Sequence, residues 1–263
     1  MKQDKVDYSI REIQDELLVL LKRFHILCTE HGISYSLYAG TLIGAVREHG
    51  FIPWDDDADV SFTREEYNKF RAVIADTVLE KDMVFSEFDN AFPQLWMHRE
   101  GKPAVWLDFF IYDFISEKRF VQKLKVAGIA FYLGIMKNKR TMELTKARGL
   151  YKGLKYFFIY FLYLIGKPFS DERKARWADN FHQKLHGNRT LIHRANDRFI
   201  GVDQVHPKSV MEEYMCVPFE DTQLMITKDY HRILVVSYDE NYMTPKKLEG
   251  QEAEIHSVTR SIL

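Results

Sequence analysis

Apolar residues recur at helical spacing near the start of the chain: Ile13, Leu17, Leu20, Leu21, Phe24 and Leu27 fall on one stripe. Ser9-Ile10-Arg11-Glu12, just upstream, has the form of a capping box, in which serine and glutamate side chains satisfy each other's backbone N–H groups. Together they predict an amphipathic helix, and Gly32 is placed to close it in the left-handed conformation common at helix ends. The period then changes to two. Ile33, Tyr35, Leu37 and Ala39 share one face of a predicted strand that ends at Gly40-Thr41. A short helix over 41–49 follows, stopped by Gly50, and then a loop fixed by Pro53. Ala58, Val60 and Phe62 next alternate with Asp57, Asp59 and Ser61, a strand with one apolar face. Thr63-Arg64-Glu65-Glu66 is a second capping box, opening a helix to about residue 76. Residues 83–88 and 94–99 read as strands, and 105–111 as a buried central strand broken only by Asp108.

Beyond residue 117 the pattern shifts. Basic residues greatly outnumber acidic ones over 118–155, where Glu143 stands nearly alone. An aromatic run follows at 156–163, ended by Gly166-Lys167-Pro168, and then a polar helix over 171–186. The longest apolar run, 156–165, is about half the ~20 residues a membrane-spanning helix needs. The last quarter mixes short strands with a helix over 228–238. No internal repeat is present. This order of elements points to a mixed α/β or α+β fold.

Composition narrows the class. With 263 residues, 46% hydrophobic and 29% charged, the chain reads as an ordinary globular protein with a proper core. A net charge of −1 carries no global nucleic-acid signal, and no nucleic-acid partner is expected. Two cysteines, Cys28 and Cys216, make no disulfide framework, which points to a reducing compartment; Cys28 reads as a core residue. Residues 1–7 are polar and form no signal-peptide core, so a cytoplasmic location is expected.

The chemistry concentrates in Asp55-Asp56-Asp57-Ala58-Asp59. Four carboxylates in five residues repel one another and rarely serve structure. Asp57 and Asp59 lie on one face of the strand, and two carboxylates so placed can share a hard divalent cation such as Mg²⁺. Asp55 and Asp56 precede the alternation and read as loop charges. Asp108 is the natural third member, because a charge in so apolar a run is costly unless paired or metal-bound. One or two metal ions on three carboxylates can clamp both oxygens of a phosphoryl displacement. Gly40 and Thr41 at a strand-to-helix junction suit an anion, and Arg47 on that helix can hold a phosphate in bidentate fashion. Each part has a bland counterpart: a solvated acidic turn, an ordinary helix start, a buried capping carboxylate. The combination favours a phosphotransferase site. His182 and His186, four apart on a predicted helix, read as a solvated face rather than a zinc site.

Gly40-Thr41-Leu42-Ile43-Gly44-Ala45-Val46-Arg47 and Gly50-Phe51-Ile52-Pro53-Trp54-Asp55-Asp56-Asp57-Ala58-Asp59 closely resemble the signature of the LicD family. That family includes phosphocholine transferases of bacterial surface polysaccharides and resembles the fukutin-related proteins. Similarity extends to Trp106-Leu107-Asp108-Phe109-Phe110 and, near the end, to Tyr230, Tyr238, Tyr242-Met243-Thr244-Pro245 and His256. The resemblance implies an α+β, nucleotidyltransferase-like mixed β-sheet core flanked by helices. It implies a single domain over 1–263, with a basic and aromatic helical insertion at about 118–190. It further implies transfer of a phospho-alcohol, phosphocholine first, from a CDP-alcohol donor to a hydroxyl of a surface glycan or its lipid-linked precursor. Asp57, Asp59 and Asp108 would be the catalytic and Mg²⁺-binding residues; Gly40, Thr41, Arg47 and His256 would contact substrate. The family's C-terminal segment often reads Tyr-Gly-Asp before the Met, where this chain has Tyr238-Asp239-Glu240-Asn241-Tyr242-Met243. The alternatives are a nucleotidyltransferase acting on another acceptor and a non-catalytic glycan- or membrane-binding relative. The basic and aromatic region is either a helical subdomain with its aromatics in a core or an element that contacts anionic membrane.

Overall fold

The computed structural model describes residues 8–87, 93–139, 141–143, 153–196 and 204–245. The fold is α+β. It divides into two compact units: Met1–Ser86 with Pro93–Ile111 and Ser209–Leu263, and Glu87–Phe92 with Tyr112–Lys208.

In the first unit, α1 (Ile10–Glu30) begins at the expected capping box, with Ser9 and Glu12 bonded reciprocally. Its stripe is buried from Ile13 to Phe24, and Cys28 continues it into the core. Gly32 has φ +62°, the left-handed closure expected of it. The strand that follows is shorter than the alternation predicts. β1 is only Ser36–Leu37, because Ala39 already turns into α2 (Ala39–Arg47) with φ +46°. The helix therefore starts two residues before Thr41. β2 (Ala58–Thr63) leads into α3 (Arg64–Asp76), and β3 (Met83–Ser86), β4 (Gln94–Met97) and β5 (Val105–Ile115) follow. The sheet runs β1-β2-β5-β4-β3. Only half of the second capping box forms. Thr63 accepts from the Glu66 N–H, but the Glu66 carboxylate turns to the Ser34 N–H at 2.7 Å and ties α3 to the approach to β1.

Aromatic rings fix which way the sheet faces. Phe109 of β5 packs against Phe62 of β2 at 5.3 Å, Phe70 of α3 at 5.1 Å and Phe24 of α1 at 5.6 Å. Each such edge-on or tilted pair adds about 0.5–1.5 kcal/mol beyond area burial. Ala58 and Val60 share the Phe62 side of β2, and Leu107 and Ile111 share the Phe109 side of β5. Alternation then sends Asp59, Ser61, Asp108 and Phe110 to the opposite face. The unit closes with a hairpin, β8 (Tyr214–Phe219) and β9 (Thr222–Thr227), and α7 (Tyr230–Tyr238).

In the second unit, the end of β5 pairs antiparallel with β6 (Leu191–Arg194), which pairs with β7 (His206–Pro207). This pairing carries β5 four residues past the end of its apolar run, through the buried Asp113. The unit also contains α4 (Arg119–Ile135), α5 (Leu154–Gly166) and α6 (Asp171–His182). Gly134 of α4 lies against Leu162 of α5, and Gly166 against the Ile135 carbonyl, contacts that leave no room for a side chain. The helix expected over 171–186 stops at His182, which is buried, while His186 is exposed beyond it. The paired-histidine helix face does not exist. Among the described residues, no helix is long and apolar enough to cross a membrane.

Candidate active site

The loop between α2 and β2 carries the acidic run, and side chains from distant parts of the first unit hold it. Pro53 sits in a turn closed by the Asp55 N–H on the Ile52 carbonyl at 2.9 Å. Gln14 of α1, buried beside the apolar stripe, donates its amide to the Ile52 and Asp55 carbonyls at 3.0 and 2.9 Å. Upstream, the hairpin turn clamps the loop: Glu220 accepts from the Phe51 N–H at 3.3 Å and donates its own N–H to the His49 carbonyl at 2.7 Å. Arg11 reaches the same carboxylate at 3.3 Å, and the Phe51 and Phe219 rings meet edge to face at 4.9 Å. Gly44 permits the fold-back, since a Cβ there would overlap the Gly50 carbonyl.

Asp59 is 8% exposed and its backbone is fully committed. Its N–H donates to Thr41 Oγ1 at 2.9 Å and its carbonyl accepts from Tyr38 N–H at 2.9 Å. The Thr41 oxygen thus positions β2, a structural use that the sequence reading did not assign to it. Asp55 departs further from expectation. Read as a loop charge, it instead hydrogen-bonds Asp57 through its side chain. Burial, the neighbouring charge and bond of Asp57, and the charge of Asp56 push its carboxyl up to about 8. Gly40 makes room for it: a Cβ at Gly40 would lie 2.5 Å from Asp55 Oδ2. The Tyr38 side chain does not cap α2, so the first N–H groups of that helix present a partial positive charge beside the acids.

Asp108 shares the face of Asp59 on the adjacent strand. Directly opposite it on β4 stands Gln94, whose amide donates to Asp108 Oδ1, and Trp96 Nε1 donates to Gln94 Oε1 at 3.2 Å. Phe110, on the same face of β5, meets Tyr38 at 4.8 Å, which brings this face to the start of α2. Among the described residues, no group of three or more His, Cys, Asp or Glu side chains converges at metal-holding distance. Arg47 is not free for a phosphate. It donates to Glu48 Oε1 at 2.7 Å and to the Tyr242 carbonyl at 3.1 Å, tying α2 to the segment after α7. His256 lies outside the described residues. Gln14, Asp55, Gln94 and Glu220 are the parts of the site that sequence reasoning missed. Only Gln14 left a local signal, a polar residue beside Ile13 at the edge of the stripe.

Residues 32–131 match the family described as LicD/FKTN/FKRP, nucleotidyltransferase domain. Over 118 residues the chain is 37% identical to the lipopolysaccharide cholinephosphotransferase LicD of Haemophilus influenzae, covering 40% of this chain and 44% of that protein. It is 41% identical over 58 residues to an uncharacterized protein of Rickettsia typhi, covering 22% of this chain and 19% of that one. Over 50 residues it is 46% identical to an uncharacterized protein of Rickettsia prowazekii, covering 19% of each. The chain thus spans less than half the length of each of these relatives. The matched segment contains Gly40, Thr41, Arg47, the whole acidic loop and Asp108. Residues 32–131 of the chain thus match the nucleotidyltransferase domain of the LicD family.

Proposed function

We propose that the protein transfers a phospho-alcohol, phosphocholine first, from a CDP-activated donor to a hydroxyl of a bacterial surface glycan or its lipid-linked precursor. The observation that carries the reading is the family match over residues 32–131, a span that contains Asp55, Asp57 and Asp59 and the start of α2, which the Tyr38 side chain does not cap. The Haemophilus relative, a lipopolysaccharide cholinephosphotransferase, supports choline as head group and lipopolysaccharide as acceptor class.

The Asp55–Asp57 pair offers oxygen ligands to a hard divalent cation. Asp55 and Asp57 hydrogen-bond each other, which two carboxyls do by holding a proton between them, and an oxygen-liganded cation can take that proton's place. Asp57 and Asp59 would hold Mg²⁺ with Asp55 alongside; bound there, Mg²⁺ would neutralise phosphoryl oxygens. The α2 N–H groups would orient the donor's diphosphate. Asp108, aimed by Gln94, would accept the proton of the attacking hydroxyl. The acceptor oxygen bonds to the distal phosphorus, the bridging P–O bond breaks, and CMP leaves. Catalysis is then positioning and charge neutralisation.

The test is incubation of the protein with CDP-choline, CDP-ethanolamine, CDP-glycerol or CDP-ribitol, Mg²⁺ and lipopolysaccharide or its precursors, scoring CMP and modified glycan. Pyrophosphate release with a nucleotidylated acceptor would assign a nucleotidyltransferase instead. Failure of every CDP-alcohol to bind or react would leave a non-catalytic module.

A further inference from the structure

Two helices of the second unit carry apolar residues on their exposed faces. On α5 the residues turned inward are Tyr156, Ile159, Leu162, Tyr163 and Gly166. Its exposed residues include Phe157, Phe158, Tyr160, Phe161, Leu164 and Ile165, with Phe157 67% exposed. At about 100° per residue these six sweep roughly 160° of the circumference without one charge. A helix facing water carries its charges there. α4 also exposes apolar residues, and it buries two polar ones beside Ile129 and Ile135. Gln122 and Lys125 are buried, bonded to the carbonyls of Ser116 at 2.8 Å and Phe114 at 2.5 Å. Phe120, Leu124, Ala127 and Phe131 are exposed at i, i+4, i+7 and i+11, with Phe120 at 78%.

Positive charge accompanies these helices. In sequence, residues 118–155 hold eleven Lys and Arg against a single Glu, and among the described residues Lys118, Arg119, Lys123 and Lys139 are exposed. Exposed Lys155 and Lys167 bracket α5. On α6, Arg173, Arg176, Trp177 and Asn180 line an open depression of about 430 Å³, and Phe169 packs on Trp177 at 4.8 Å.

From this arrangement we infer that the α4–α5 surface docks the protein peripherally on a bilayer rich in anionic phospholipid. The apolar arcs would sit at the acyl boundary and the cations among the phosphates. At ~1.5 Å per residue α5 is about 20 Å long, short of the ~30 Å hydrocarbon core, so it lies in the interface rather than across it. A second copy of the chain fits the face poorly, since self-association would bring two basic regions together. A bilayer asks for no hydrogen bonds from the uncharged arc and supplies the missing negative charge. This docking is independent of the transferase chemistry, because it needs neither donor nor acceptor.

The experiment is vesicle flotation of the full chain, with phosphatidylcholine alone and with phosphatidylcholine:phosphatidylglycerol at 7:3. Binding at least tenfold stronger to the anionic vesicles is expected, weakening as salt rises. Phe157→Glu/Phe161→Glu should lower it at least tenfold with an unchanged circular dichroism spectrum and melting temperature; Phe157→Ser/Phe161→Ser serves if the charged pair misfolds. Arg173→Gln/Arg176→Gln should reduce the preference for anionic lipid. Equal binding to both vesicle types, absence of binding, or undiminished binding of the folded Phe157/Phe161 variant would each overturn the proposal. So would a wild-type dimer, by light scattering, that becomes monomeric in that variant without any vesicle binding.

Discussion

Gly40→Ala separates the structural work of the glycine from ordinary helix propensity. The added Cβ would stand 2.5 Å from Asp55 Oδ2, against the 3.0 Å that real Cβ contacts rarely undercut. The carboxylate must therefore retreat by about half an ångström or more. It has little freedom to do so, because Gln14 holds the Asp55 backbone and Asp57 bonds its side chain. Overpacking of this kind costs about 1–3 kcal/mol, and the Gly-to-Ala gain within a helix returns up to about 1 kcal/mol. The expected net is a loss of about 0–3 kcal/mol, a fall of up to roughly 12 °C in melting temperature for a chain of this size. Transfer should fall far more, on the order of a hundredfold, since small displacements of reacting groups cost that much. The decisive comparison is the same substitution in an Asp55→Ala background, followed by urea unfolding monitored by tryptophan fluorescence. With the oxygen gone the clash is gone, and Gly40→Ala should be neutral or stabilising. The interaction energy between the two changes should be at least about 1 kcal/mol. Equal effects of Gly40→Ala in both backgrounds would refute the reasoning.

Thr41→Val keeps the shape of the side chain but deprives the buried Asp59 N–H of its acceptor, and should cost about 1–3 kcal/mol, whereas Thr41→Ser should cost little; denaturation curves and exchange of the Asp59 amide check both. Asp57→Asn, Asp59→Asn and Asp108→Asn should each abolish transfer in a folded protein, and near wild-type turnover of folded Asp59→Asn would remove it from the site. Gln94→Leu should lower turnover more than donor binding, because it releases the Asp108 carboxylate without touching the loop. His193 is buried, both its ring nitrogens lack a hydrogen-bond partner among the described residues, and burial, then Lys125 and His182, hold its pKa well below 6.5. The folded state thus refuses a proton that the unfolded chain accepts. Its contribution is intact above about pH 6.5 and is lost as pH falls below that, by about 1.4 kcal/mol per pH unit until the folded-state pKa is reached. Stability curves of wild type and His193→Phe should therefore diverge in that window, and parallel curves would refute the assignment.

What sequence could disclose depended on how far apart the partners lie. Ser9 and Glu12 are one helical turn apart, so their cap was legible. The stripe from Ile13 to Phe24 and the alternation that put Asp57 and Asp59 on one face are equally local. Residues whose roles depend on remote partners were not. Glu66 has the spacing of a capping box yet turns to Ser34, because a strand approach competes for it. Arg47 has the reach of a phosphate ligand, but the Tyr242 carbonyl takes it from 195 residues away. Asp55 looked solvated because nothing nearby in sequence says that Gly40 leaves room for it to sit half-buried. Gln94 needed the register of β4 against β5 before its bond to Asp108 could be seen.

The acidic loop is clamped by Glu220, and between the two the chain leaves the first unit at Ile111 and returns at Ser209. During synthesis, at ~5–20 residues per second, that excursion of roughly a hundred residues occupies about 5–20 s. Until the hairpin turn emerges, the Phe51 amide lacks the Glu220 carboxylate and Gly50 lacks the Glu220 side chain that packs on it. The loop is thus finished only near the end of translation, and nascent chains stopped before residue 220 carry all the acids without the clamp. The same holds for laboratory truncations. A fragment cut at 32–131, the span shared with the family, would lack α1 with Gln14 and the hairpin with Glu220. It would contain every proposed catalytic carboxylate and lack both of these holds on the loop.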